Sequence, residues 1–212
     1  MKISWLGHSC FLLESVKGTK IITDPYEPGG YSGAIGYGPI NIEPDIVTVS
    51  HQHSDHNFTR GFKRAKIIDK PRAERYKDVS IEAVESFHDD MKGRDRGNNI
   101  IFIFELEGLR LAHFGDLGTR ELDFQNLKNL DIIMIPVGGT FTLGPKEAQE
   151  VVGRLKPKIT IPMHFKTEKL GFNIEGKESF LRGKDFHKKD FLEVNTGNIK
   201  DYKPIVVLNH QR

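Results

Sequence analysis

The segment His51-Gln52-His53-Ser54-Asp55-His56 carries four metal-capable side chains within six residues. It follows the apolar run Asp45-Ile46-Val47-Thr48-Val49-Ser50, which reads as a buried strand, so the donors fall in the turn at its C-terminal end. In extended chain the side-chain period is two, and His51 and His53 therefore point the same way. Asp55 and His56 follow where the chain should enter a short helix, reaching the same pocket from another direction. Neutral imidazole and carboxylate suit zinc and neighbouring first-row metals. The chain has nine histidines in all, and three of them stand here. A polar surface turn is the plain alternative, and that concentration argues against it.

One turn offers too few donors for a catalytic pair of ions. Three further candidates each follow an apolar run: His88 after Ile81–Phe87, Asp116 after Leu109–Gly115, and His164 after Ile159–Met163. The order of strand and then donor thus occurs four times. The weaker alternative is a core histidine for His164 and a helix N-cap for Asp116. His88 borders Asp89, Asp90 and the basic stretch Lys92, Arg94, Arg96, as a surface loop would.

The remaining pattern supplies elements to hold these turns. Strand signals cover Lys2–Leu6, Cys10–Glu14, Thr19–Thr23, Ile46–Ser50, Ala65–Asp69, Ile81–Phe87, Ile100–Leu106, Leu109–His113, Ile132–Pro136 and Ile159–Met163, with two more short runs between Phe186 and Arg212. Glu107-Gly108 joins two of them as a hairpin turn. Helical spacing covers Pro71–Lys77, Glu121–Leu130, Pro145–Leu155 and Glu175–Arg182, with Pro145 suited to a first helical position. The glycine-rich stretch Tyr26–Pro44 reads as a long flexible connection of the kind that forms lids. Two series of strands, each followed by helices, predict two packed sheets flanked by helices, with strand-end loops gathered along one edge.

Composition bounds the rest. A chain of 212 residues with 37% hydrophobic and 28% charged content fits one globular domain, residues 1–212. Thirty-one basic against 29 acidic residues leave a net charge of +2, too small a field to favour nucleic acid or an anionic membrane. Cys10 is the single cysteine, which excludes an internal disulfide and agrees with a reducing compartment. The first residues lack the apolar core of a secretory signal, and no stretch is long enough to span a bilayer. The expectation is a cytoplasmic protein.

The residues Leu6-Gly7-His8-Ser9, Thr23-Asp24-Pro25, His51 to His56, His88, Gly115-Asp116, Ile135-Pro136-Val137-Gly138-Gly139 and Pro162-Met163-His164 together resemble the metallo-β-lactamase superfamily. The chain is most similar to its small metal-dependent hydrolases of the L-ascorbate-6-phosphate lactonase-like branch. The resemblance implies an α+β fold, a four-layer αββα sandwich with two mixed sheets and the metals at one edge. It also implies that His51, His53 and His88 hold one ion, that Asp55, His56 and His164 hold a second, and that Asp116 bridges them. His53 stands where the diiron oxidoreductase branch is expected to carry a glutamate, which argues against that branch. The expected cofactors are two divalent ions, zinc first and manganese second. Two cations about 3.5–4 Å apart make hydroxide from a bridging water and polarise a carbonyl or phosphoryl oxygen. The expected activity is hydrolysis of an ester-like bond, a lactone or a phosphodiester, in a small molecule.

Further residues have expected parts in that chemistry. Asp55 is placed to orient the nucleophile and carry a proton to the leaving group, and His8 to hydrogen-bond a ligand or substrate. Asp24 is expected behind the donors, orienting an imidazole. Thr140 and Lys166 are candidates for substrate contact, Lys166 and the Lys92–Arg96 stretch for an anionic one. His113 and Cys10 read as core residues. Association into homo-oligomers is left open by the sequence. Two rivals share the donor turn: a mononuclear iron enzyme acting on a persulfide, and a metal-stabilised binding module without catalysis.

Overall fold

A computed structural model describes all residues from Met1 to Arg212. Fourteen strands form two sheets. In the first series, β1 (Lys2–Gly7), β2 (Cys10–Glu14), β3 (Lys20–Thr23), β4 (Ile46–Thr48) and β5 (Lys66–Ile68) lie side by side in that order. In the second, β6 (Glu74–Tyr76), β7 (Val79–Phe87), β8 (Asn98–Leu106), β9 (Leu109–His113), β10 (Ile132–Pro136) and β11 (Ile159–Met163) do the same. The C-terminal strands β12 (Phe186–Lys189), β13 (Phe191–Glu193) and β14 (Ile205–Leu208) finish both sheets: β13 pairs with β1, and β14 and β12 extend the second sheet beyond β11. Both sheets are mixed, with parallel pairing from β3 to β5 and from β9 through β12.

Alternation along the strands of the first sheet divides its residues between two cores. Ile3, Phe11, Leu13, Ile21 and Ile46 join the large cluster of 44 buried residues shared with the second sheet. Their neighbours Cys10, Leu12, Ile22 and Val47 face the other way, into a cluster of 12 beneath Tyr26, Ile35, Tyr37, Phe62 and Leu170. The glycine-rich stretch is therefore a packed cover and not a loose connection, because Tyr26, Ile35 and Tyr37 are all but fully buried. Cys10 lies in this core as a free thiol, as its composition suggested.

The predicted sandwich of two mixed sheets is present, but its helices are few. The helix α1 (Pro145–Leu155) has the predicted bounds, with Pro145 in its first turn and Ala148 and Val151 in the core. The Glu175–Arg182 pattern shrinks to α2, Glu178–Leu181. Pro71–Lys77 is not a helix: Glu74–Tyr76 pairs antiparallel with Val79–Ile81, and Lys77 turns the chain with φ 52°. Nor is Glu121–Leu130 helical. Asp123 accepts hydrogen bonds from the backbone N–H of Gln125 (3.0 Å) and from Asn126 Nδ2 (2.7 Å), and such local bonds compete with a helix. No helix is long and apolar enough to cross a membrane.

Candidate metal centre

The strand-end turns converge. Donor atoms of His51, His53 and His88 lie within 4.8 Å of one another, and so do those of His8, Asp55, His56 and His164. These are the two predicted triads, with His8 added to the second. Asp116 stands between them, its Oδ2 3.2 Å from Nε2 of His88, 3.2 Å from Nε2 of His56 and 3.3 Å from Nε2 of His164. The short helix expected at Asp55-His56 is a single turn, closed by the N–H groups of His56 and Asn57 on the carbonyl of His53.

Local backbone explains how the donors reach one point. His8, Asp24 and His164 all adopt left-handed conformations, with φ of 54°, 41° and 49°. Each such non-glycine residue costs on the order of 1 kcal/mol, held by the packing around it. Gly115 has φ 53°, and a Cβ there would stand 2.3 Å from Asn99 Oδ1 and 2.6 Å from Ser50 Cβ. Only glycine lets the Asp116 turn lie against the His51 turn.

Buried partners fix the rings. Asp24 accepts from the Ser50 N–H (2.8 Å), from Ser50 Oγ (2.5 Å) and from His56 Nδ1 (2.9 Å). Ser50 Oγ in turn accepts from His51 Nδ1 at 2.9 Å. With Nδ1 protonated in both rings, the Nε2 lone pairs of His51 and His56 face the cluster. Asp24 thus occupies the orienting position expected of it. Ser50 was not foreseen, and neither was Asn99, whose Oδ1 accepts from the Asp116 N–H at 3.0 Å while its Nδ2 donates to Ser86 Oγ and the Phe114 carbonyl. A buried amide at the start of a strand was the only signal for it. His113 donates through Nε2 to the Ser9 carbonyl at 2.7 Å, the satisfied core histidine predicted.

Charge is unbalanced within this donor set. Burial opposes ionisation of Asp116, yet His164 and His56 hold its carboxyl well below the usual range. Asp55 is likewise held low against burial by His56 and His8, and Asp24 by His113 and His56. Burial and the adjacent His56 push His51 down to about 3, and burial with His164 pushes His8 down to about 4. His53 is lowered by burial and by His88. His56 goes the other way, because Asp116 and Asp55 outweigh its burial.

These residues fit metal ions. Nine buried side-chain polar atoms in the chain lack a hydrogen-bond partner, and three of them stand at the centre itself: His51 Nε2, His56 Nε2 and Asp116 Oδ1. Buried polar groups are ordinarily paired, and unpaired imidazole nitrogens around ionised carboxylates need a cation.

The β-lactamase superfamily domain matches residues 2–164 of the chain. The chain belongs to the metallo-β-lactamase superfamily. Metal-dependent hydrolases of Thermococcus onnurineus and Pyrococcus abyssi are each 31% identical to it, over 79% of this chain and 85% of the relative. A solved member of the superfamily from Thermotoga maritima is 38% identical, with a TM-score of 0.79 and 99% of both chains covered. The chain is therefore a metal-dependent hydrolase of this superfamily, and its donors stand at the strand ends along one edge of the two sheets.

Two expected substrate contacts are placed otherwise. Lys166 Nζ donates to the Phe172 carbonyl at 2.7 Å, and Thr140 Oγ1 donates to the Asn173 carbonyl at 3.2 Å. Neither lines the cleft above the donors; both hold the loop that carries Phe172. The cleft is lined instead by Tyr31, Phe141, Phe172 and Arg96, with Asp95 beside them. Tyr31 and Phe172 carried no signal in the sequence. His8 does reach the centre, its Nε2 3.0 Å from Asp55 Oδ2.

Proposed function

We propose that this chain is a dinuclear hydrolase that cleaves an ester-like bond, in a lactone or a phosphodiester, of a small molecule in the cytoplasm. The observation that carries the reading is the meeting of two donor triads at one oxygen, Asp116 Oδ2. His51, His53 and His88 would hold one ion, Asp55, His56 and His164 the other, and Asp116 both. Zinc suits the all-imidazole triad, and zinc or manganese the mixed one. The single unpaired thiol, Cys10, supports the reducing compartment.

Such a pair of ions, when bound, makes water acidic near neutral pH and polarises the oxygen of the bond to be cut. The side chains supply the rest. Asp55 is ionised, and it accepts hydrogen bonds from His8 Nε2 at 3.0 Å and from the Tyr31 hydroxyl at 3.2 Å. It takes the proton shed by the attacking water and delivers it to the oxygen that leaves. His8 holds that carboxylate in place as a neutral donor.

Metal content and turnover of wild type and Asp116→Ala test this reading. Two zinc or manganese ions per chain and turnover of bis-p-nitrophenyl phosphate or a lactone are expected. The variant should lose at least one ion and more than about 100-fold in activity, since removing even an outer partner of a ligand costs 10–100-fold. One iron per chain would favour the mononuclear persulfide enzyme. Bound metal with no turnover of ester, lactone or phosphodiester would leave a binding module.

A further inference from the structure

The cleft above the donors, about 320 Å³ in volume, has a wall of ring surface that the hydrolytic chemistry does not use, the Tyr31 hydroxyl excepted. Tyr31, Phe172 and Phe141 come from three separate loops and meet there. The rings of Tyr31 and Phe172 stand edge to face, 5.2 Å apart at 85°, and those of Phe172 and Phe141 6.1 Å apart at 72°. Tyr31 is 49% exposed and Phe141 39% exposed, so apolar ring surface faces solvent directly over the buried donors. Single exposed aromatic residues are ordinary in proteins. Three in contact at the mouth of one site form a surface with a use.

Arg96 completes the wall. Its guanidinium lies 5.9 Å from the centre of the Phe141 ring, and its only hydrogen bond is to the Thr140 carbonyl, at 3.2 Å. No carboxylate lies within ion-pairing distance of it, whereas the neighbouring Asp95 is occupied by Arg94 Nε at 2.9 Å. The rim therefore presents one unspent cation beside a set of ring faces.

The wall is also fixed in advance. Tyr31 and Ser32 take successive left-handed conformations, φ 51° and 56°, which side chains other than glycine rarely adopt. Their turn is closed by Gly33 N–H on the Gly29 carbonyl and Ala34 N–H on the Tyr31 carbonyl. Gly171 N–H donates to the Ala34 carbonyl at 2.7 Å, tying the Tyr31 loop to the Phe172 loop, and Thr140 ties the Phe141 loop to the same segment. Strain held by such a frame at the mouth of a site points to a role in that site.

We infer that the substrate carries a flat apolar ring next to the scissile bond and an anionic group beyond the ring, with the ring held by Tyr31, Phe172 and Phe141 and the anion by Arg96. The inference rests on the hydrolase reading for its scissile bond. Aromatic rings favour offset and edge contacts of this kind, and the planar guanidinium matches a carboxylate with paired hydrogen bonds. The volume lies at the small end of ligand sites, which begin at about 300 Å³, and suits a single-ring compound.

The test compares δ-valerolactone, dihydrocoumarin and carboxylated dihydrocoumarins on the metal-loaded protein, each kcat/KM divided by the rate of alkaline hydrolysis of the same lactone. Each added group should raise the corrected value about tenfold, the size of one well-made contact. Phe172→Leu should remove most of the advantage of dihydrocoumarin over valerolactone, and Arg96→Ala most of the advantage of the carboxylated ring. Arg96→Lys should recover part of the latter. Equal corrected values, or ratios unmoved by the variants, overturn the inference while leaving the hydrolase intact. If no lactone is turned over, calorimetry with isophthalate and glutarate decides it. Isophthalate should bind about tenfold tighter than glutarate, and about tenfold tighter to wild type than to Arg96→Ala; equal affinities overturn the inference.

Discussion

His8 Nε2 lies 3.0 Å from Asp55 Oδ2 inside the protein, and the other ring nitrogen of His8 has no hydrogen-bond partner. The histidine is neutral in the fold, because burial and the nearby His164 bring its pKa from 6.5 down to about 4.

This has a consequence for acid stability. Between pH 6.5 and about 4 the unfolded chain binds a proton at this position that the folded chain refuses, so stability rises with pH across that window and falls as the pH is lowered. Urea titrations of the metal-free protein from pH 7 to 4 should show a loss of several kcal/mol. His8→Gln should make the profile shallower in this range, leaving the slope that the likewise lowered His51, His53 and His113 supply. A wild-type midpoint that does not move between pH 6.5 and 4.5 would rule the argument out.

Asp24 receives three donors and touches no cleft. In Asp24→Asn an amide N–H₂ must face at least one of them, and the tautomer of His56 is no longer fixed. Metal affinity, measured by competition with a chromogenic chelator, should fall about 10–100-fold. Unchanged affinity would mean that Asp24 serves only to cap the turn.

Gly118 lies against the backbone of His88. A Cβ there would stand 2.2 Å from the His88 carbonyl oxygen and 2.4 Å from its carbon, and neither atom can swing aside. Gly118→Ala should cost about 1–3 kcal/mol and shift His88 away from Asp116. Gly153→Ala is the opposing control, since nothing lies within 4 Å of that position in α1 and alanine is the better helix former by about 1 kcal/mol. Thermal melts should move in opposite directions for the two variants; a shared sign would refute the packing argument.

The donors and the strands beneath them were legible because both depend on residue type and short-range pattern. Four of the apolar runs ended directly before a polar donor, and Cys10–Glu14, Leu109–His113, Ile132–Pro136 and Ile159–Met163 are strands with the predicted bounds. The helical readings failed where spacing was the only support. Glu74–Tyr76 became a strand because β7 offered a free edge, a tertiary fact that no local window contains. Thr140 and Lys166 were plausible by chemistry, but their partners are backbone carbonyls of a loop whose path depends on the whole fold. Tyr31, Arg96, Phe141 and Phe172 are brought together only by topology, so their shared role could not be read along the chain.

The segment from Tyr26 to Pro44 roofs one face of the first sheet through Tyr26, Ile35 and Tyr37, and between those anchors it projects Tyr31 over the cleft. Closing the interior and shaping what may enter are thus duties of a single stretch of chain. Within this segment, changes that alter ligand preference and leave the roof intact are confined to the tip around Tyr31–Ser32, because Tyr26, Ile35 and Tyr37 are packed into the core.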